Sequence, residues 1–159
     1  MHLDMMEKFL TGQTSVVSGA SRDRGIGAAI CRSLAAAGSN IFFTSWQPYD
    51  ASMAEPEFPG RFVQELQQQS VDAAWLELDL ADPIAPKQLI AIVKRRFGTA
   101  HNLINNACYS VKDNYSTIDA NTLDKCYAIN IRAPILLSAE FVRCAKPFLN
   151  STLPRGAQS

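Results

Sequence analysis

Short apolar runs alternate with amphipathic segments along the chain, and the runs predict β-strands. Four of them, SVVS, NIFFTSW, AAWLELDL and NLINNA, lie at residues 15–18, 40–46, 73–80 and 102–107. Their apolar residues are adjacent, as in Ile41, Phe42 and Phe43. A continuous run of this kind is typical of a strand covered on both faces of a sheet. We therefore expect four buried strands.

Helical patterns follow the first two strands. Apolar residues recur at four-residue spacing from Ile26 to Leu34, and Gly38 stands where that helix should end. A polar, proline-containing stretch at residues 47–60 predicts a surface excursion. A short helix should come after it, at residues 62–69.

Two more helices are predicted in the second half of the chain. Asp82 followed by Pro83 is a typical N-cap and first-turn pair, so a third helix should start there. A long fourth helix should cover residues 121–148, with a kink or interruption at Pro134. Residues 150–159 are polar and rich in helix breakers, and we expect them to fray.

The resulting order, β-α-β-α-β-α-β-α, predicts an α/β fold. Alternation of strands and helices favours a doubly wound parallel sheet with right-handed crossovers and helices on both faces. We expect the strand order 3-2-1-4, with strand four at an unprotected edge. Residues 1–159 should form a single domain that ends after the fourth strand and its following helix.

Composition narrows the classes of partner. The chain is 47% hydrophobic and 19% charged, and its 15 basic residues balance 15 acidic ones, which argues against nucleic acid and membrane surfaces. Four cysteines without a Cys-x-x-Cys pair and two histidines favour reduced, buried thiols over a metal site. The N-terminus is too polar for a signal peptide, and no apolar run reaches the ~20 residues of a membrane span. A soluble, cytoplasmic protein is expected.

A glycine-rich turn, SGASRDRGIG, joins the first strand to the first helix. Such a turn and the helix N-terminus aim free backbone N–H groups and a partial positive charge at one point, which suits a pyrophosphate. Gly19 would allow the tight turn, Gly25 the close approach of a ligand, and Gly27 close packing of the helix on the strand. The alternative is an ordinary strand-to-helix turn that needs glycine for its conformation alone.

The same turn resembles the Thr-Gly-x-x-x-Gly-x-Gly loop of the short-chain dehydrogenase/reductase family, especially its 3-oxoacyl-[acyl-carrier-protein] reductases. Ser18 stands at the position of the usual Thr, and five residues, rather than three, separate Gly19 from Gly25. Further motifs follow in the family's order and extend the resemblance over nearly the whole chain. The resemblance implies a Rossmann-like domain that binds a nicotinamide dinucleotide.

Three of those motifs imply site residues. Asp79, with Leu80 beside it in LDL, matches the acid that lies next to the adenine ring. Asn106 and Ala107 in NNAC match the loop after strand four, and Asn130 in YAINIRAP matches a catalytic asparagine that holds a water in a proton relay. Plainer interpretations remain: the acid could cap a strand, the asparagines after strand four could satisfy a turn, and Asn130 could bond within its own helix.

The residues also bear on which dinucleotide is bound. Members that use NAD place an acid at the end of strand two, whereas this strand ends with Thr44 and Ser45. Arg22 and Arg24 could pair with a 2′-phosphate, although they could also be solvated loop charges. NADP is therefore expected, with NAD as the alternative. The cofactor-binding residues implied by the resemblance are Gly19, Ser21, Arg22, Arg24, Gly25, Ile26, Gly27, Thr44, Ser45, Asp79, Leu80, Asn106 and Ala107.

The family's Tyr-x-x-x-Lys pair does not occur in the chain. No lysine has a tyrosine four positions before it, and Tyr109 and Lys112 are one residue too close. In the family the Tyr donates the proton and the Lys lowers its pKa. We expect the chain to correspond to the N-terminal part of a reductase, as a fragment, a truncated product or a frameshifted form, and to be inactive alone.

Two functions of different class remain open. The first is a reductase that transfers hydride from NADPH to a 3-oxoacyl-thioester-like carbonyl. The second is a non-catalytic dinucleotide-binding or interaction module; a methyltransferase is a weaker third, which the Asn-Asn-Ala match opposes. An open fourth strand and an apolar helix face favour a homo-oligomer. That face should include Ile135, Leu136, Phe141 and Phe148.

Overall fold

The computed structural model of the chain describes residues 8–50 and 57–152. Its four strands form one parallel sheet in the order β3-β2-β1-β4, which confirms the expected order and direction. The strands are β1 (Thr14–Val17), β2 (Asn40–Ser45), β3 (Ala73–Glu77) and β4 (Asn102–Ile104). The helices are α1 (Ile26–Ala36), α2 (Gln47–Asp50), α3 (Phe58–Gln67), α4 (Ala85–Phe97), α5 (Ala120–Tyr127) and α6 (Ala133–Thr152), with a π-helical turn at Ala128–Arg132.

Helices cover both faces of this sheet, so the doubly wound arrangement is also confirmed. Successive strand residues point to opposite faces. Val17, Ile41 and Phe43 pack on one side with Phe58, Phe62 and Leu66 of α3 and with α1. Val16 and Phe42 pack on the other side with α4 and α6, through Leu89, Val93 and Leu137. Among the described residues, no helix is both long enough and apolar enough to cross a membrane.

The third and fourth strands are shorter than the apolar runs suggested. After β3, the Leu78 N–H still donates to the Ser45 carbonyl at 2.9 Å, but the Asp79 carboxylate then accepts the Ala81 N–H at 2.8 Å. That local turn ends the strand. The residues beyond β4, expected within the strand, form a loop instead.

The predicted start of α4 at Asp82 was wrong. The Asp82 carboxylate accepts the N–H of Ile84 at 3.0 Å, which forms a turn before the helix, and α4 begins at Ala85 with Pro86 in its first turn. Asp and Asn favour turns of this type as readily as N-caps, so the sequence pattern did not separate the two.

The start of α3 was also misjudged. Phe58 and Pro59 are buried and already helical, so this helix begins four residues before the predicted 62–69. The stretch 47–60, expected as a surface excursion, therefore contains α2 at its start and a core residue at its end. Residues 51–56 of it lie outside the described residues.

The predicted long helix is interrupted before Pro134, as expected. Proline has no N–H to donate to the carbonyl four residues earlier, here that of Asn130, and the π-helical turn occupies that point. α6 then continues to Thr152, so the expected fraying does not begin at Asn150. Residues 153–159 lie outside the described residues.

Candidate functional site

A cavity of about 210 Å³ opens at the carboxyl ends of the strands. It lies where β1 has β2 on one side and β4 on the other, the point at which an open α/β sheet characteristically binds its ligand. Most of the residues predicted for cofactor binding line it, namely Gly19, Ser21, Arg22, Gly25, Ile26, Gly27, Thr44, Ser45, Asp79, Leu80, Asn106 and Ala107.

The β1–α1 turn is tightly packed at its first glycine. Gly19 has φ +75°, and its N–H donates to Thr44 Oγ1 at 3.1 Å. A Cβ at this position would lie 2.6 Å from Ala107 Cα. Gly19 therefore brings the loops after β1 and β4 into contact, and no larger residue would fit without displacing the backbone.

The start of α1 faces the cavity without a side-chain cap. Gly25 is the N-cap residue and makes no side-chain hydrogen bond, and the first turn carries no acidic residue. The first N–H groups of a helix have no partner within the helix. Ile26 is 75% exposed at the same end. This end of α1 therefore presents N–H donors and one apolar side chain to the cavity.

The Asn-Asn-Ala segment ties the loop after β4 to the loop after β1. The Asn106 side chain donates to the carbonyls of Ser18 and Gly19 at 3.0 and 2.9 Å. The backbone N–H groups of Asn106 and Ala107 both donate to Ser18 Oγ at 3.1 Å. Asn106 thus bridges two loops rather than satisfying its own turn, and Ser18 supplies a hydroxyl acceptor where the family pattern has Thr.

Two serine hydroxyls lie at the end of β2, one from the glycine turn and one from the strand itself. Ser21 Oγ accepts the N–H of Trp46 at 3.3 Å, which joins the glycine turn to this strand end. Ser45 is 1% exposed, and within the described ranges its Oγ has no hydrogen-bond partner. A buried polar group without a partner costs free energy unless a ligand satisfies it.

A second, shallower cavity of about 570 Å³ adjoins the first. Arg22 and Asp79 line both cavities, as do Trp46 and Tyr109, whereas Lys125 of α5 lines only the second. Trp46 and Tyr109 were missed in the sequence. Trp46 directly follows the end of β2, and Tyr109 directly follows the NNAC motif. Their positions next to predicted site residues were the signal that could have identified them.

Two predicted residues lie away from these cavity walls. Arg24 is exposed and lines neither cavity. Asn130 also lines neither; its Oδ1 accepts the Tyr109 N–H at 2.8 Å and its Nδ2 donates to the Tyr109 carbonyl at 2.9 Å. Its side chain therefore holds the segment after β4 against the π-helical turn rather than bonding within its own helix.

Comparisons with known proteins agree with this geometry. The family model described as short chain dehydrogenase matches residues 13–148. An uncharacterized oxidoreductase of Bacillus subtilis (strain 168), YjdA, is 39% identical over 129 residues, which cover 81% of this chain and 49% of that protein. The chain thus spans about half the length of the curated relatives it matches.

Two solved structures are similar over the same region. A short chain dehydrogenase from Burkholderia cenocepacia J2315, in complex with NADP, has a TM-score of 0.76 and 29% identity, with 85% of this chain and 51% of that chain covered. A blue fluorescent protein from a metagenomic library, in complex with NADPH, has a TM-score of 0.74 and 30% identity, with 92% and 53% covered.

Proposed function

The chain belongs to the short chain dehydrogenase family, and from this premise we propose that it forms the NADP-binding part of a carbonyl reductase. The cavity at the strand ends would hold the dinucleotide, with its pyrophosphate at the N-terminus of α1. When bound, the reduced nicotinamide supplies the hydride. The substrate class we propose is a 3-oxoacyl-thioester-like carbonyl, on the resemblance of the glycine turn to 3-oxoacyl reductases.

The observation that carries the proposal is the uncapped start of α1 beside Gly27. A Cβ on Gly27 would lie 2.7 Å from both Asn106 Nδ2 and the Gly19 carbonyl oxygen. Glycine here keeps α1 close to β1, so the N–H groups of the first helical turn, which have no partner within the helix, lie at the cavity. A phosphate group fits such a cradle because the N–H groups and the helix dipole both favour negative charge.

The preference for NADP is supported by the end of β2. The strand ends with Thr44 and Ser45 and has no acid at its end to bind the ribose hydroxyls of NAD. Arg22 lines both cavities, and the Ser45 hydroxyl lacks a partner within the described residues. Two solved relatives hold NADP or NADPH. Of the two arginines predicted from the turn, Arg22 is therefore the proposed reader of the 2′-phosphate.

Titration of the chain with NADPH and with NADH tests this assignment. Binding is monitored through energy transfer from tryptophan to the reduced nicotinamide. A charge-assisted contact contributes roughly 1.5–3 kcal/mol, about tenfold or more in affinity. We expect NADPH to bind more tightly than NADH, and Arg22→Ala to remove the difference. Arg24→Ala, a loop arginine outside the cavity walls, is the matched control and should retain it. Equal affinities in the unmodified chain would contradict the assignment.

For the chain alone we propose binding without turnover. It contains no Tyr-x-x-x-Lys pair, and general acid catalysis commonly supplies ~10²–10⁴ in rate. NADPH oxidation in the presence of an acetoacetyl thioester should therefore stay at the background rate. The contradicting result would be turnover that copurifies with the chain through several columns and is abolished by Gly27→Trp. Such turnover would show that a proton donor is present after all.

The second candidate function is an interaction module, and one surface favours it. Exposed apolar side chains recur mainly at four-residue spacing along α5, the π-helical turn and α6; this outer stripe consists of Leu123, Tyr127, Ile131, Ile135 and Val142. Of the face expected from the sequence, Ile135 is exposed, Leu136 and Phe141 are half-buried, and the Phe148 side chain lies outside the described residues. We propose that the stripe supports association of the chain with itself.

A further inference from the structure

An ion cluster centred on Arg32 connects the lengthened β1–α1 loop to the body of the protein. The Gly25 N–H donates to the Arg22 carbonyl at 3.0 Å, which closes a turn around Asp23. Arg32 of α1 binds this turn twice: its Nη2 donates to Asp23 Oδ1 at 2.5 Å and its Nη1 to the Asp23 carbonyl at 2.8 Å. The guanidinium beside Asp23 lowers the pKa of that carboxyl, so Asp23 remains ionised at neutral pH.

Arg32 is itself fixed from the opposite side. Its Nε and Nη2 donate to the two carboxylate oxygens of Glu65 at 2.6 and 3.0 Å. The guanidinium also lies 4.9 Å from the centre of the Phe62 ring, which belongs to the core. One side chain therefore connects the glycine loop to α1, to α3 and to the core beneath α3.

We propose that Arg32 is a positioning residue for dinucleotide binding, which it assists by holding the lengthened loop in the geometry that places Arg22 at the cavity. The inference rests on the proposed function, since it concerns the same site. It is independent of the family pattern, because the bonded carboxylate lies in a loop two residues longer than that pattern. Arg32 itself lines neither cavity.

The physical reason is the cost of ordering a loop. Five residues separate Gly19 from Gly25, so this turn can adopt many other backbone conformations once Arg32 no longer binds the Asp23 carboxylate. If only a fraction of molecules holds the binding geometry, the apparent dissociation constant rises by the inverse of that fraction. Partly exposed ion pairs contribute modestly, so we expect NADPH to bind about two- to fivefold more weakly without the Arg32 guanidinium.

The test compares two matched arginines. Arg32→Met removes the guanidinium that binds Asp23 and Glu65. Arg96→Met is the control, because Arg96 binds Asp72 at 2.7 Å and lies 4.9 Å from the Phe97 ring centre, away from the cavity. Amide hydrogen exchange in the absence of nucleotide reports on the loop, and NADPH titration reports on the site.

Arg32→Met should speed exchange across residues 21–25 and weaken NADPH binding, whereas Arg96→Met should change neither. Arg32→Lys keeps the positive charge but loses the planar set of N–H donors that binds both carboxylates. It should bind NADPH more tightly than Arg32→Met does but less tightly than the unmodified chain. Asp23→Asn leaves the Arg32–Glu65 pair in place and should reproduce both effects if Arg32→Met does not fold.

Unchanged loop exchange in the folded variants would overturn the proposal, whatever happens to NADPH. Faster exchange with unchanged NADPH affinity would also overturn it, because the loop would then be held without consequence for binding. An unmodified chain that binds no NADPH would contradict the proposed function and the positioning role together, and that failure is visible before any substitution is made.

Discussion

Gly27 lies where β1, α1 and the loop after β4 converge, and it has no room for a side chain. Gly27→Ala would place a Cβ 2.7 Å from Asn106 Nδ2 and from the Gly19 carbonyl oxygen, and 2.9 Å from Ala20 Cα. Backbone must shift to accept it, so we expect a loss of about 1–3 kcal/mol in the free energy of unfolding. NADPH affinity should fall as well, because α1 would move away from the cavity.

The control for this prediction is Gly60→Ala. Gly60 is helical, and apart from its chain neighbours and its own helix backbone no atom of the described residues lies within 4 Å of the position that a Cβ would take. Alanine should therefore be neutral or stabilise by about 0.5–1 kcal/mol. Urea unfolding of both variants measures the difference. A Gly27→Ala variant as stable as Gly60→Ala would mean that the packing between α1 and the loop after β4 is looser than described.

Two cysteines should differ sharply in reactivity. Cys108 is exposed and lines the cavity, whereas Cys31 lies on the buried face of α1, and burial raises the pKa of its thiol to about 12. A thiol-specific reagent at pH 8 should label Cys108 and leave Cys31 unmodified until the chain unfolds. NADPH should slow the labelling of Cys108 if it occupies the cavity. Labelling of Cys108 at the same rate with saturating NADPH would contradict that placement.

The raised pKa of Cys31 also has a consequence for stability. Its unfolded thiol ionises near pH 9.0 but the folded one does so only near 12, so the folded state loses stability as the pH rises through this interval. Cys31→Ala should reduce that alkaline loss, measured by urea unfolding at pH 8 and pH 10.5. Identical pH dependence in the two proteins would exclude Cys31 as its source.

At the scale of elements, the strands could be predicted because their signal is burial. Adjacent apolar residues such as Phe42 and Phe43 point to opposite faces and need both faces covered, and covered parallel strands need crossover helices. The start of α4 could not be predicted, because an aspartate carboxylate can either cap a helix or close a turn before it, and Asp82 does the second. The glycine turn predicted the position of the cavity. The Arg32 cluster could not be predicted, because Arg32 binds residues 9 and 33 positions away, Asp23 and Glu65, and such pairs leave no local sequence pattern.

Asn130 links the π-helical turn to the segment after β4, so removing its side chain should lower the stability of the protein. Both of its hydrogen bonds go to the backbone of Tyr109, so Asn130→Ala releases the segment after β4 from the π-helical turn. At about 0.5–1.5 kcal/mol for each bond, we expect a loss of roughly 1–3 kcal/mol. Asn105→Ala is the control, since Asn105 is exposed like Asn130 but its Nδ2 donates a longer hydrogen bond, of 3.3 Å, to Ser138 Oγ. Equal urea midpoints for the two variants would argue against this link.

At the scale of the whole molecule, the outer stripe and the β4 edge favour association. Light scattering after size exclusion should show a dimer or larger species rather than a monomer. Introducing charge into the stripe with Leu123→Glu and Ile135→Glu should shift the distribution to the monomer. Ile84→Glu, at an exposed apolar residue outside the stripe, should leave it unchanged. A monodisperse monomer in the unmodified chain would contradict the prediction.

The central claim is that a nicotinamide dinucleotide binds across the carboxyl ends of β1, β2 and β4, and amide chemical shifts test it most directly. On titration with NADPH, the largest saturable shifts should fall at residues 19–27, 44–46, 78–80 and 106–109, which surround the cavity. The amides of α4 beyond its first turn, remote from the strand ends, should move little. Absence of saturable shifts, or shifts confined to α3 and α4, would contradict the account.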